Sequence, residues 1–170
     1  SSAASDVYKR QPLEYYSVEY SVPVELVEIL LQDYDSETVD RILGSSYEMR
    51  PTSIRVNTDR ISVDEVERKL EAAGIETVRG SLNDTSLLIK GYDYVRRIPG
   101  FMDGEFVVQD QSSCLAVRAA GIQNGDLVVD VCAAPGGKTM YAASLAGQTG
   151  RVISRDLTEN KTELIEENVD

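Results

Sequence analysis

The residues with the clearest chemical potential stand together as Asp130-Val131-Cys132-Ala133-Ala134-Pro135-Gly136-Gly137-Lys138-Thr139, with Asp156 a short way on. A strand that turns through Pro135, Gly136 and Gly137 into a helix aims several backbone N–H groups at one point. Glycine has no Cβ, so a ligand can approach the main chain there. An acid roughly 20 residues beyond such a turn, at the end of the next strand, is placed to accept hydrogen bonds from ribose hydroxyls. Loop and acid together describe a seat for an adenosine-type ligand; a tight strand-to-helix connection is the bland alternative.

Gly137-Lys138-Thr139 also matches the end of a Walker A phosphate loop. That loop requires glycine five residues before Gly137, where this chain has Cys132. The match fails at the residue that lets the loop wrap a phosphate chain, which leaves a P-loop nucleotide hydrolase as the lesser alternative.

Other chemistries are excluded by composition. The 170 residues include no His, which removes the Ser-His-Asp triad, the His-paired cysteine nucleophile and the usual Cys/His zinc site. No metal site is expected. Two cysteines, Cys114 and Cys132, are too few for a disulfide framework, and no secretory signal is evident, so a reducing cytoplasm is expected. Apolar runs such as Leu127–Val129 are far shorter than a membrane helix needs.

The net charge is −12, which argues against nonspecific coating of phosphates. Local basic stripes can still dock RNA. The basic residues gather in the middle of the chain, at Arg55, Arg60, Arg68, Lys69, Arg79, Lys90, Arg96 and Arg97. Of these, Arg55, Arg96 and Arg97 are candidates to touch RNA phosphate, the alternative being a solvated mixed-charge surface.

The elements that must position these groups follow from periodicity. Residues 1–11 are Ser/Ala-rich, and Asp6-Val7-Tyr8-Lys9-Arg10-Gln11 resembles a translated sequencing-library adapter, so they are set apart as a non-native stretch. Residues 12–48 form a strongly acidic helical segment. Val24, Val27, Leu30 and Leu31 make one apolar face after Pro23, and a second helix runs from Ser36 as N-cap through Val39, Ile42 and Leu43 to Gly44 as stop.

Residues 49–108 read as a small α+β subdomain: a strand at Pro51–Thr58, a helix opened by a Ser62/Glu65 capping box and ended at Gly74, and strands at Ile75–Val78 and Leu87–Ile89 around a turn at Asn83-Asp84. Pro99-Gly100 and Asp103-Gly104 mark its exit. Residues 109–170 then read as helix (Leu115–Ala120), a strand covered on both faces (Leu127–Val131), loop, helix (Met140–Leu145), strand (Arg151–Ser154) and a helix capped by Thr158. The fold class is α/β: the opening half of a parallel Rossmann-like sheet, preceded by the α+β subdomain and the acidic helical pair.

Asp130–Thr139 resembles the S-adenosylmethionine-binding motif of the RsmB/Sun family of RNA cytosine-5 methyltransferases. Arg50-Pro51-Thr52-Ser53-Ile54-Arg55-Val56-Asn57-Thr58 is similar to that family's entry into its small N-terminal subdomain. Pro99-Gly100-Phe101 and Val108-Gln109-Asp110-Gln111-Ser112-Ser113 are similar to its linker into the catalytic domain. The likeness covers roughly Ser21 to Asp170.

The resemblance implies a reaction that composition does not reveal. A cysteine thiolate adds to carbon 6 of a cytosine in structured RNA, carbon 5 takes a methyl group from the cofactor, and loss of the carbon-5 proton releases the enzyme. The target base must leave its stack. Small-subunit (16S) ribosomal RNA is the implied partner. Cys132, Ala133, Ala134, Pro135, Gly136, Gly137 and Lys138 would line the cofactor loop, largely through main chain, and Asp156 would hold the ribose.

In the family the working cysteines stand in Pro-Cys and Thr-Cys motifs, and here no Cys follows Pro or Thr. Cys114 and Cys132 are therefore not expected to be nucleophiles; the catalytic residues are expected downstream of Asp170, and the chain is expected to be a fragment at both ends. A noncatalytic RNA-binding module is the alternative from a different class.

Overall fold

The computed structural model describes residues 13–169, with side chains to residue 166. The adapter-like stretch at 1–11 lies outside the described residues. The chain divides into two units at Arg50/Pro51.

In the first unit, residues 13–19 are helical, followed by α1 (Val24–Asp33) and α2 (Ser36–Gly44). Tyr16, Val27, Val39 and Leu43 are buried together. The helix at 13–19 lies within the segment expected to be helical, but as a third helix beside the expected pair. Ser36 is not the N-cap: Asp35 is, its carboxylate accepting from the Thr38 N–H at 2.8 Å, and Ser36 is the first helical residue. Both residue types can cap, but only the one outside the helix in extended backbone can turn its oxygen inward. Nor does Gly44 stop the chain in a left-handed turn; it remains helical and runs into a short 3-10 turn, Ser45–Tyr47.

The second unit opens with β1 (Thr52–Val56), α3 (Val63–Ala72), β2 (Glu76–Arg79), β3 (Ser86–Lys90) and β4 (Phe106–Val108). Its sheet has the order β2-β3-β1-β4 and every pairing is antiparallel. The capping box forms as expected: Ser62 Oγ accepts from Glu65 N–H, and the Glu65 carboxylate reaches back to Ser62 N–H. Gly74 ends α3 with φ +77°. Val66 and Leu70 of α3 pack with Ile54, Val56, Leu87, Ile89 and Phe106 in one core. Strand β4 was not expected. Three residues give too short a run for alternation to register, yet Phe106 is 1 % exposed and β4 closes the side of β1 that β3 leaves open.

The remainder is α4 (Gln111–Ala119), β5 (Leu127–Asp130), α5 (Gly137–Ala146), β6 (Arg151–Ser154) and α6 (Glu159–Val169). Strands β5 and β6 pair in parallel, Leu127 opposite Arg151 through Asp130 opposite Ser154. Cys114, Val117, Tyr141 and Ala142 form the core between α4 and α5, with Val128 and Val152 against it. Strand β5 is not covered on both faces. Leu127, Val129 and Val131 are 65, 54 and 67 % exposed, because α4 and α5 cover only the face that carries Val128. Among the described residues, no helix is long and apolar enough to cross a membrane.

Candidate functional site

Strand β5 ends at Asp130, and the chain turns through residues 131–136 into α5. Asp130 clamps both ends of this loop. Its Oδ1 accepts from Cys132 N–H at 3.2 Å and its Oδ2 from Thr139 Oγ1 at 2.8 Å. Ser154 Oγ on β6 lies 3.4 Å from the same Thr139 hydroxyl. Pairing also continues past the strands, with Arg155 N–H donating to the Asp130 carbonyl at 2.8 Å and Ala133 N–H to the Arg155 carbonyl at 3.1 Å.

Asp156 follows directly and points back at the loop. Its Oδ2 accepts from Ala134 N–H at 2.9 Å, its Oδ1 from Leu157 N–H at 2.7 Å, and Lys161 Nζ stands 3.3 Å from Oδ1. The Ala134 amide, then the Leu157 amide and Lys161, hold this carboxyl below its usual range. Gly136 has φ +108°, a conformation that L side chains rarely adopt, and its N–H closes a tight turn onto the Ala133 carbonyl at 2.7 Å.

Helix α5 then begins with no side-chain cap. The N–H groups of a first helical turn have no partner within the helix, so those of Gly137, Lys138 and Thr139 face out of its N-terminus. Ala133 and Gly136 are buried, Ala134 and Gly137 half-buried, and Cys132, Pro135 and Lys138 exposed.

The structure thus gathers Cys132–Lys138 and Asp156 into one site, and adds Asp130 and Thr139 as the groups that fix its shape. Residue type alone did not single these two out, although a hydroxyl at the third helical position and an acid at a strand end are the signals they carry. The expected arginines do not gather there. Arg96 and Arg97 are exposed on a short turn, Val95–Arg97. Arg55 is not a surface phosphate contact, being 4 % exposed: its guanidinium lies 4.6 Å from the centre of the Tyr141 ring and its Nε–H donates to Gln109 Oε1 at 2.7 Å. It sits on the central strand β1, where a neighbouring helix covers it. Cys114 is fully buried in α4, as expected of a small core side chain.

The backbone cradle fits an adenosine-type cofactor: uncapped amides, a glycine whose conformation excludes a side chain, and an acid at the end of the next strand. Likeness to known proteins gives the family of the chain. Residues 118–170 match the family model described as 16S rRNA methyltransferase RsmB/F, and residues 22–95 match one described as Methyltr_RsmF/B-like, ferredoxin-like domain. The chain belongs to the RsmB/F methyltransferase family.

A probable ribosomal RNA small subunit methyltransferase B of Bacillus subtilis is 34 % identical over 94 % of this chain and 35 % of its own length. A 25S rRNA (cytosine-C(5))-methyltransferase, NSUN5, of Arabidopsis thaliana is 29 % identical over 78 % of this chain and 24 % of its own. Among solved structures, PH0851 superposes with a TM-score of 0.78 at 31 % identity, over 92 % of this chain and 35 % of that one. The chain therefore spans about a third or less of the length of these relatives. The ferredoxin-like match takes in α1, α2 and β1 to β3, and the methyltransferase match takes in β5, α5 and β6.

Proposed function

We propose that the intact protein is an S-adenosylmethionine-dependent methyltransferase that forms 5-methylcytosine in ribosomal RNA, small-subunit (16S) RNA being the favoured substrate, and that it works in the cytoplasm. The observation that carries this is the loop clamped by Asp130 at its ends and by Asp156 at its middle, in a chain whose family is RsmB/F. The cofactor, when bound, supplies the methyl group.

This chain's residues do the holding. The first-turn amides of α5 and the main chain of Cys132 to Lys138 face the cofactor, Gly136 leaves room for it, and Asp156 keeps the loop closed while offering remaining lone pairs to a ribose. The nucleophile is neither Cys114, which is sealed in a core, nor Cys132, which belongs to the cofactor loop. A P-loop hydrolase is not favoured, since Cys132 stands where a Walker loop needs glycine.

Two steps test the proposal. Reading the frame past Asp170 is expected to find Pro-Cys and Thr-Cys on later strands. Purified intact protein is expected to transfer labelled methyl to cytosine of ribosomal RNA, whereas the 170-residue chain alone gives none. Labelling of another base, or methyl transfer by the isolated chain, contradicts it.

A further inference from the structure

Asp93 and Arg97 are opposite charges that share one pocket without pairing. Both are exposed, and no side-chain hydrogen bond or ion pair joins either to any described residue. That is unusual in a chain of net charge −12, where Lys69, Arg79, Arg118 and Lys161 each hold a carboxylate. Arg96, beside Arg97 on the Val95–Arg97 turn, is equally without an ion pair among the described residues. Two adjacent free guanidiniums in an acidic protein make a local attraction for an anion.

The pocket holds about 280 Å³ and lies where β3 hands over to that turn. Ile75 and Pro99 give it apolar walls, and Tyr92 and Tyr94 bring rings to it. The two rings differ in freedom. Tyr92 is half-buried, and its hydroxyl is hydrogen-bonded to that of Thr52 at the start of β1. Tyr94 is 57 % exposed and stacks on no ring among the described residues, so much of its surface is open.

A ligand matched to this pocket has an anionic end for Arg97, a flat apolar body for Tyr94 and hydrogen-bond donors for Asp93. A nucleotide has these three parts in its phosphate, base and ribose hydroxyls, and unpaired RNA bases are held by stacking on aromatic rings. The volume, just under the ~300–1,000 Å³ of common ligand pockets, suits a single base.

We propose that this pocket captures one unpaired nucleotide of the RNA at a point remote from the base being methylated, with the base on Tyr94, the phosphate on Arg97 and a 2′-hydroxyl donating to Asp93. This rests on the RNA-modifying function proposed above and goes beyond it by giving the chain a second contact, one that selects among RNAs. The contact is separate from the cofactor site: none of residues 130–139 and not Asp156 lines the pocket. It is tied to the Thr52 end of β1, whereas Arg55, about 10 Å further along the strand, is the residue that meets Tyr141 of α5.

The test measures binding of a labelled single-stranded RNA decamer of mixed sequence, and of the same sequence as DNA, to the 170-residue chain by fluorescence anisotropy across a salt series. Tyr94→Ala is expected to weaken RNA about tenfold. Arg97→Gln should lower the salt slope by about one. Asp93→Ala should erase the preference for RNA over DNA, since only RNA carries the 2′-hydroxyl. All three side chains are exposed, so the melting temperature should not change, which separates a lost contact from a lost fold.

No RNA binding by wild type, or equal RNA affinity in wild type and Tyr94→Ala, overturns the proposal. So does calorimetric binding of adenosine monophosphate that Tyr94→Ala abolishes while the oligonucleotide is unaffected, which would assign the pocket to a free nucleotide. Failure of methyl transfer by the intact wild-type protein would instead overturn the proposed function and leave these affinities to stand by themselves.

Discussion

Asp156 and Ala134, 22 residues apart in the chain, are joined by a carboxylate-to-amide hydrogen bond of 2.9 Å that closes the loop after β5 onto the end of β6. The bond is strongest while the carboxylate is ionised, and the folded pKa of Asp156 lies below the ordinary Asp value. A depressed pKa contributes stability above the unfolded value, lost as pH falls through the folded one. Loop closure is thus expected to be complete at neutral pH and to weaken only below about pH 4. Asp156→Asn should remove that acid transition in the Ala134 amide, followed by NMR chemical shift, and weaken S-adenosylmethionine binding by the intact protein. An Ala134 shift with the same acid titration in Asp156→Asn would show that another group closes the loop.

Gly136→Ala places a Cβ on a residue with φ +108°. The expected cost is about 1–2 kcal/mol, read as a lower urea midpoint at unchanged slope. An unchanged midpoint would mean that the turn relaxes to another conformation.

The two thiols should separate cleanly in a labelling experiment. Cys132 is exposed and Cys114 fully buried. A disulfide reagent is expected to titrate one equivalent quickly in native protein and the second only on unfolding. Cys132→Ser should abolish the fast phase and leave the slow one.

Ser62→Ala deletes the hydroxyl half of the capping box that opens α3. About 1 kcal/mol of stability should be lost, measured by thermal unfolding followed by far-ultraviolet circular dichroism. No loss would mean that Glu65, still reaching the Ser62 main chain, suffices alone.

What the sequence made legible tracks how local the physics is. The capping box, the glycine stop of α3 and the strand-turn-helix around Gly136 depend on neighbours a few residues away, and each forms where its residues stand. Residues whose role depends on distant partners were misread. Arg55 has the alternation of a solvent-facing strand residue, but Tyr141, far along the chain, covers it. Asn83 stands in the turn its type foretells, its carbonyl accepting from Ser86 N–H at 3.1 Å, but its burial was not legible: it is 2 % exposed and its Oδ1 accepts from Arg118 Nη1 at 3.2 Å and from the Tyr141 hydroxyl at 3.4 Å. Strand β4 was missed because its evidence is its partner β1, not its own composition. At the site, the strand-turn-helix was legible and its clamps were not: Asp156 was expected to reach toward a ribose, and its first attachment is to the loop itself.

Only Gln109 and Asp110 lie between the end of β4 and the start of α4. Neither is slack, since Gln109 is fastened to Arg55 and Asp110 caps the helix through the Ser112 N–H at 2.7 Å. The small sheet and the layer of β5, α5 and β6 therefore lack a hinge at this seam. A torque applied to β1 would be felt as tilt in α4, making the second unit a single lever.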